Sequence, residues 1–388
     1  MFRIIVRPEW SLKRRGSPDF PLPQVLRLLA AVHQGGSLSQ AARTLGLSYR
    51  HAWGLIREAD YAFGTPLISM ERGKGGQLTR LGEILLWADR RIAARLNPSL
   101  DSLSSELSAE MERVLSHASP LRIQASHGFA VQVLQEALAE SNLDFDLRFT
   151  SSSEALAALA RQECEFAGFH IPEGELESAA LQPYLHSLNY RPLRLIQLAT
   201  RTQGLMLTQN NPLNILSFKD LGKRGGRFVN RQPGSGTRLL IDVLMHREQV
   251  LHDTVPGYDM WEYTHAAVAA FIASGMADVG FGIETAARQF NLDFIPLVRE
   301  RYFFACSPEP ESHPTVSQVL NVLRGRDLHK GIAQLAGYDP SRCGEIFTLE
   351  EAFSDSCSMG LFTNRSAQKK KGVRKPAKTS RELEPKQE

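Results

Sequence analysis

The apolar positions of the first hundred residues recur at helical spacing. Residues 23–32 place Val25, Leu26, Leu28, Leu29 and Val32 on one face, which predicts an amphipathic helix. Ser37 stands where an N-cap belongs, ahead of a helix through Ala41, Ala42 and Leu45, and Gly46 supplies the turn that ends it. Ser48 then caps a second helix through Ala52, Leu55, Ile56 and Ala59. The small Ala41 and Ala42 let two helices cross closely, and Leu47 plugs the turn beneath them. This is the spacing of a helix-turn-helix. Tyr49, Arg50, His51, Trp53 and Arg57 fall outside the apolar face of the second helix. With its N-terminal end in a major groove, that helix presents Ser48, Tyr49, Arg50 and His51 to bases and phosphates. Residues 66–70 read as a short strand, 71–76 as a glycine-rich turn and 77–79 as the return. In this wing Arg72, Lys74 and Arg80 are placed to touch backbone phosphate.

The periodicity continues into a connector. Residues 81–96 form one stripe. Pro98 is expected to interrupt that helix and start another, because proline fits the first helical turn and breaks an interior one. Leu100, Leu103, Leu107, Met111 and Val114 extend the stripe at steps of three and four. They read as a coiled-coil-like seam that would pair two heads in a homodimer or higher homo-oligomer.

After Pro120 the pattern becomes alternating. Strands at 121–126, 145–150 and 166–169 enclose helices at 131–140 and 153–162, a βαβαβ arrangement with a parallel sheet. A second block offers strands at 193–199, 205–207, 227–230, 278–281 and 294–297, with helices at 237–249 and 264–274. Two α/β lobes with a cleft follow, and ligands in such sheets sit at the carboxyl ends of strands. Ser126, His127, Ser151, Ser152 and His170 fall at those ends in the first lobe. In the second, Asn230, Arg231, Gly234, Ser235, Gly236, Thr237 and Arg238 lie in NRQPGSGTR, whose GSGT turn opens a helix with its N–H groups outward. Such a nest suits an oxyanion or a small polar ligand. Tyr263, Thr264 and His265 open the next helix in the same way, and Gln203 lies between two strand segments. Each serine is equally placed to be a plain N-cap. The GSGT turn lacks the Lys of a Walker A loop, and the three histidines are not spaced as metal ligands.

Charge separates these parts. Residues 1–95 hold 15 Lys and Arg against 7 Asp and Glu, a net of +8; residues 96–364 hold 21 against 32, a net of −11. A basic head on an acidic body places nucleic-acid contact in the head. Residues 365–388 hold 9 against 3 and lack apolar periodicity, which predicts a disordered basic tail. The four cysteines, Cys164, Cys306, Cys343 and Cys357, form no CxxC pair, so reduced thiols are expected. The start of the chain builds no signal-peptide core and no apolar run is long enough to cross a bilayer, which predicts a cytoplasmic protein without a membrane partner.

The strings SLSQAARTLGLSYRHAWGLI, FGTPLI and GKGGQLTRLGEILL resemble the DNA-binding domain of ModE-type molybdate-responsive regulators, with a looser likeness to LysR-type regulators, over about residues 20–95. NRQPGSGTR, RTQGLML and YTHAAVAAFIASGMADVGFGIE resemble a periplasmic-binding-protein-like domain of the type II solute-binding kind, over about residues 119–335. The small oligomer-forming molybdate domains usual in ModE-type regulators have no counterpart in the sequence, so molybdate is implied by association alone. The expected architecture is therefore multi-domain. It comprises an α-rich winged helix-turn-helix (1–80), a helical connector (81–118), a two-lobed α/β ligand domain (119–355) and a basic tail (356–388). The expected function is a transcription regulator that binds double-stranded DNA and answers a small effector such as molybdate, tungstate or another oxyanion, with no resident cofactor. A ligand sensor acting through a protein partner is the alternative. No nucleophile–base pair or paired carboxylates point to an enzyme.

Overall fold

Three helices make the head: α1 (Leu22–Gly35), α2 (Leu38–Thr44) and α3 (Tyr49–Phe63). Their apolar faces meet in one core that includes Val25, Leu28, Leu29, Ala41, Ala42, Ala52 and Ile56. Ser37 Oγ accepts from Gln40 N at 3.1 Å and Ser48 Oγ from His51 N at 3.2 Å, so both serines cap their helices. Gly46, at φ +67°, makes the left-handed turn between α2 and α3. The wing strands β1 (Ile68–Glu71) and β2 (Gly75–Leu78) pair antiparallel, and Gly76 N donates to Gly36 O at 3.0 Å. The computed structural model describes residues 4–11, 22–71, 75–116, 120–141, 143–190, 192–306, 308 and 314–354. Arg72, Lys74 and the tail at 356–388 lie outside them.

The connector corrects one expectation. Instead of two helices divided at Pro98, α4 (Arg80–Ser116) runs unbroken for 37 residues. A proline cannot donate to the carbonyl four residues back, here that of Ala94. Thr264 Oγ1, from the body, donates to Ala94 O at 3.0 Å instead. The local rule fails because a residue 170 positions away from Ala94 completes the helix.

The body begins with β3 (Leu121–Ala125), α5 (Phe129–Glu140), β4 (Phe145–Phe149), α6 (Ser152–Ala160) and β5 (Phe166–Pro172). β3 pairs parallel with both β4 and β5, the βαβαβ unit that the alternation predicts. Short helices α7 (Glu177–Leu181) and α8 (Leu185–Leu188) lead to β6 (Arg194–Leu207). Then follow α9 (Phe218–Arg224), β7 (Phe228–Arg231), α10 (Gly236–Arg247), β8 (Trp261–Glu262), α11 (His265–Ala273), β9 (Val279–Ile283) and α12 (Glu284–Gln289). The chain returns through β10 (Asp293–Cys306), and α13 (Pro314–Leu323), α14 (Arg326–Ala333), β11 (Tyr338–Asp339), β12 (Ile346–Phe347) and α15 (Leu349–Ala352) complete it.

One mixed sheet holds both lobes, in the order β4-β3-β5-β10-β6-β9-β7-β8, with β11 and β12 also on β6. β6 and β10 are the crossing strands: each is 14 residues long, and they pair antiparallel along their length. The expected break between 199 and 205 does not exist. Residues 200–204 read as a loop because they are polar, yet Thr200, Arg201 and Gln203 are buried where the lobes join. The strand expected at 294–297 likewise continues to Cys306, and His170 lies inside β5 rather than after it.

The crossing is tight. A Cβ on Gly204 would stand 1.9 Å from Ile295 O, on the paired strand's backbone, whereas one on Gly54 of α3 would meet nothing within 4 Å. Gly204→Ala should therefore cost about 2–4 kcal/mol of stability by forcing two strands apart. Gly54→Ala should gain about 0.5–1 kcal/mol through helix propensity. Denaturant unfolding of both variants checks the contrast, and equal effects would contradict the packing described.

Candidate functional site

The first candidate surface is the exposed side of α3. Its buried residues are Ala52, Leu55, Ile56 and Ala59, which turns Arg50, His51, Gly54, Arg57 and Glu58 to solvent. Ser48, Arg50, His51, Gly54, Leu55 and Glu58 line a shallow open depression. Tyr49 is half exposed and stacks on Trp53 with ring centres 6.3 Å apart. Trp53 packs partly on the head's core, so it positions Tyr49 more than it reaches outward. Arg80 is exposed and lies 3.6 Å from Glu83. Ser37 and Ser48 spend their oxygens on capping, which leaves their hydroxyl protons available. The positive end of the α3 dipole adds to the Arg50 and His51 face.

The second is the cleft between the lobes, centred on the crossing strands. Arg201 of β6 and Glu300 of β10 stand opposite each other in register, with Nε to Oε1 at 2.5 Å and both side chains almost wholly buried. Burial opposes the charge on each, but each outweighs it for the other: Arg201 is held above its usual range and Glu300 below. Arg231, at the end of β7, has no such carboxylate. Its Nη2 donates to Tyr263 O at 2.8 Å, while Nε and Nη1 are buried without a partner. Burial, then Arg201, pulls Arg231 down to about 9, so it remains charged at neutral pH.

Three histidines surround this guanidinium. His170 Nδ1 lies 3.3 Å from Ser126 Oγ, which also donates to Tyr302 Oη. His170 Nε2 and His265 Nδ1 are buried and unpartnered. His127 meets Gln132 and packs edge-on against Phe149. Burial, then the cations, lowers His127 to about 4; burial, with Arg201 and Arg231 assisting, does the same for His170, and His265 falls well below its usual range. All three are neutral at pH 7. The first turn of α10 closes the ring: a Cβ on Gly236 would stand 2.8 Å from His170 Nε2 and 3.2 Å from Tyr184 Oη. The glycine thus lets the helix N-terminus approach the first lobe.

The remaining expected ligand residues divide. Ser151 caps α6 in a capping box with Glu154, and Ser152 is buried beside it. Gly234, at φ +81°, makes the turn, Ser235 caps α10, and Thr237 is buried in its first turn. Asn230 is spent on Tyr258 O and Arg231 N. Arg238 turns away to Asp242 and the Tyr258 ring. Tyr263 is half exposed under Arg95, and Thr264 caps α11 while holding Ala94 O. Gln203 is buried on the crossing strand. Arg201, Glu300, Tyr184 and Tyr302 escape the sequence reading; only the polar run at 200–203 signals the first, and the others depend on non-local pairing.

A buried guanidinium with unspent donors, neutral imidazoles and a helix N-terminus is an arrangement for an anion. Among the described residues no group of three His, Cys, Asp or Glu could hold a metal ion, and no helix is long and apolar enough to cross a membrane. Cys164, Cys306 and Cys343 are buried free thiols.

Fold and sites together define a DNA-binding-type head carried by a two-lobed ligand-binding-type body. Residues 23–83 match the bacterial regulatory helix-turn-helix proteins of the lysR family, and residues 135–324 match the PBP superfamily domain. A lysR-family helix-turn-helix region followed by a PBP superfamily domain is consistent with a winged helix-turn-helix regulator fused to a periplasmic-binding-protein-like domain. The uncharacterized protein YvgK of Bacillus subtilis is 29% identical over 213 residues, 55% of this chain and 68% of its own length. The molybdenum-pterin-binding protein MopB of Rhodobacter capsulatus is 31% identical over 143 residues, 36% of this chain and 53% of its own. The chain thus spans about half of that relative. A solved OxyR variant from Corynebacterium glutamicum is 15% identical and covers 82% of this chain and 95% of its own, with a TM-score of 0.40.

The histidines give the body a pH signature. Their folded-state pKa values lie below the unfolded value, so the unfolded chain takes up protons first. Their contribution to stability is present above about pH 6.5 and is lost as pH falls from there toward about 4. The loss is about 1.4 kcal/mol per histidine per pH unit at most. Urea unfolding at pH 7.5 and 5.0 should show it, and His170→Gln should flatten the slope. A slope that His170→Gln leaves unchanged would rule this residue out as a source.

Proposed function

We propose that this protein is a ligand-responsive transcription regulator that binds double-stranded DNA through α3 and the wing and reads a small oxyanion in the interlobe cleft. Molybdate and tungstate are the first candidates, and the protein acts by binding rather than catalysis, in the cytoplasm with its DNA. The observation that carries the effector reading is Arg231, a buried cation whose Nε and Nη1 have no partner while the neighbouring Arg201 is matched by Glu300. An anion would satisfy those donors and balance the charge. The names of the Mop and ModE relatives favour molybdenum oxyanions over others. Against the reading of a sensor that works only through a protein partner stands the solvent-facing Arg50–Arg57 surface of α3.

Two copies would meet through α4. Leu103, Leu107, Met111 and Val114 are 40–68% exposed, a continuous apolar stripe along the second half of the helix. Pairing would set two recognition helices on one face of the DNA, as a palindromic site requires.

Selection of bound sequences from a random duplex library tests the DNA reading. The chain should enrich one motif, and Arg50→Ala with Arg57→Ala should weaken it by about 2–6 kcal/mol in total. Enrichment of nothing above background would contradict it. A thermal-shift panel of molybdate, tungstate, sulfate and phosphate tests the effector: one should raise Tm, and Arg231→Gln should lower its affinity about a hundredfold or more. Leu103→Asp with Leu107→Asp should yield monomers in sedimentation; an unchanged dimer would place the interface elsewhere.

A further inference from the structure

The connector helix touches both lobes. On the second lobe, Glu262 has no exposed side-chain surface, and Arg91 Nη2 and Arg95 Nε of α4 stand 2.7 and 3.2 Å from its two oxygens. Thr264 holds Ala94 O between them. Arg91 also lies over the Phe271 ring, and Trp87 packs on Phe290. On the first lobe, Ser102 Oγ accepts from Phe149 N at 2.8 Å and Ser105 Oγ from Leu147 N at 2.7 Å, capping the free edge of β4. About ten residues, roughly 15 Å of helix, separate the two attachments.

We propose that α4 is a strut between the lobes, and that Glu262 is the latch that makes opening of the cleft and release of the connector one event. A stiff helix fixed to both lobes forbids a change in their separation unless one attachment yields. Releasing the first leaves β4 edge donors unpaired; releasing the second leaves a buried carboxylate without its cations. The latch adjoins the cleft through one short segment, residues 262–265, whose Tyr263 ring also lies under Arg95. Glu262 and Thr264 hold the connector, whereas the Tyr263 carbonyl holds Arg231, and His265 Nδ1 is buried without a partner. Glu262 and Arg231 are also register partners across β7 and β8. A ligand that engages Arg231 therefore acts on the segment that grips α4. Pro98 belongs to the device, since its missing N–H keeps Ala94 O free for Thr264. The consequence for signalling rests on the effector reading above; the strut itself does not.

The test measures the interlobe distance by pulsed electron resonance between spin labels at Glu140→Cys and Arg247→Cys, in the full chain with Cys357→Ser. The parent should give one narrow distribution. Glu262→Gln should add a second distance, its population raised at least about tenfold. Amide exchange at residues 87–96 should rise with it. Should Glu262→Gln fail to fold, Arg95→Gln, at an exposed position, should shift the distribution in the same direction. A distribution in the folded variants identical to the parent's overturns the strut. Calorimetry with molybdate, tungstate, sulfate and phosphate runs alongside. Anion binding with no effect of the latch variants sinks the strut alone, whereas opened lobes with no anion bound sink the effector reading alone.

Discussion

A proline inside a long helix leaves one carbonyl without its donor, and the way that carbonyl is satisfied ties the whole molecule together. Pro98 frees Ala94 O, and Thr264 of the body fills the gap. Around this bond the connector carries Arg91 and Arg95 to a carboxylate that is fully buried and would be intolerable alone. Trp87, one turn earlier, packs between His33 of the head and Phe290 of the body. Head, connector and body are thus joined by specific polar and aromatic contacts, not by a flexible tether.

The body obeys a second constraint. Two strands that cross from lobe to lobe must bury whatever lies at their midpoint, and here the midpoint is Arg201 against Glu300. Their mutual neutralisation lets a polar run survive inside a sheet. Arg231 is then left as the excess charge, with three histidines kept neutral around it. In the proposed function the same burial that makes the site costly would favour an anion, because an uncharged ligand would leave the guanidinium unbalanced.

Much of this is legible in the sequence, for reasons that differ by element. The helix-turn-helix can be read because capping, turn and packing signals are local: Ser37, Gly46 and Ser48 do in the structure what their residue types suggest. The βαβαβ unit can be read from period alone. The crossing strands cannot. Residues 200–204 look like a loop by composition, and only their pairing with β10 buries them. Pro98 misleads for the same reason, since its compensation comes from Thr264, far along the chain. In the cleft, residues at strand ends and helix starts are visible, but Arg238, Tyr263 and Thr264 serve neighbouring packing, and Glu300 offers no local sign. Tertiary partners, not local propensity, decide each of these cases.

In the proposed function one chain couples an anion in the cleft to DNA at the head. Linkage makes that coupling reciprocal. Calorimetric titration of the anion into the free chain and into the chain saturated with its selected duplex measures it directly. Coupling predicts affinities that differ by about five-fold or more, with Arg50→Ala/Arg57→Ala abolishing the difference. Equal anion affinity in the free and DNA-bound chain would contradict it.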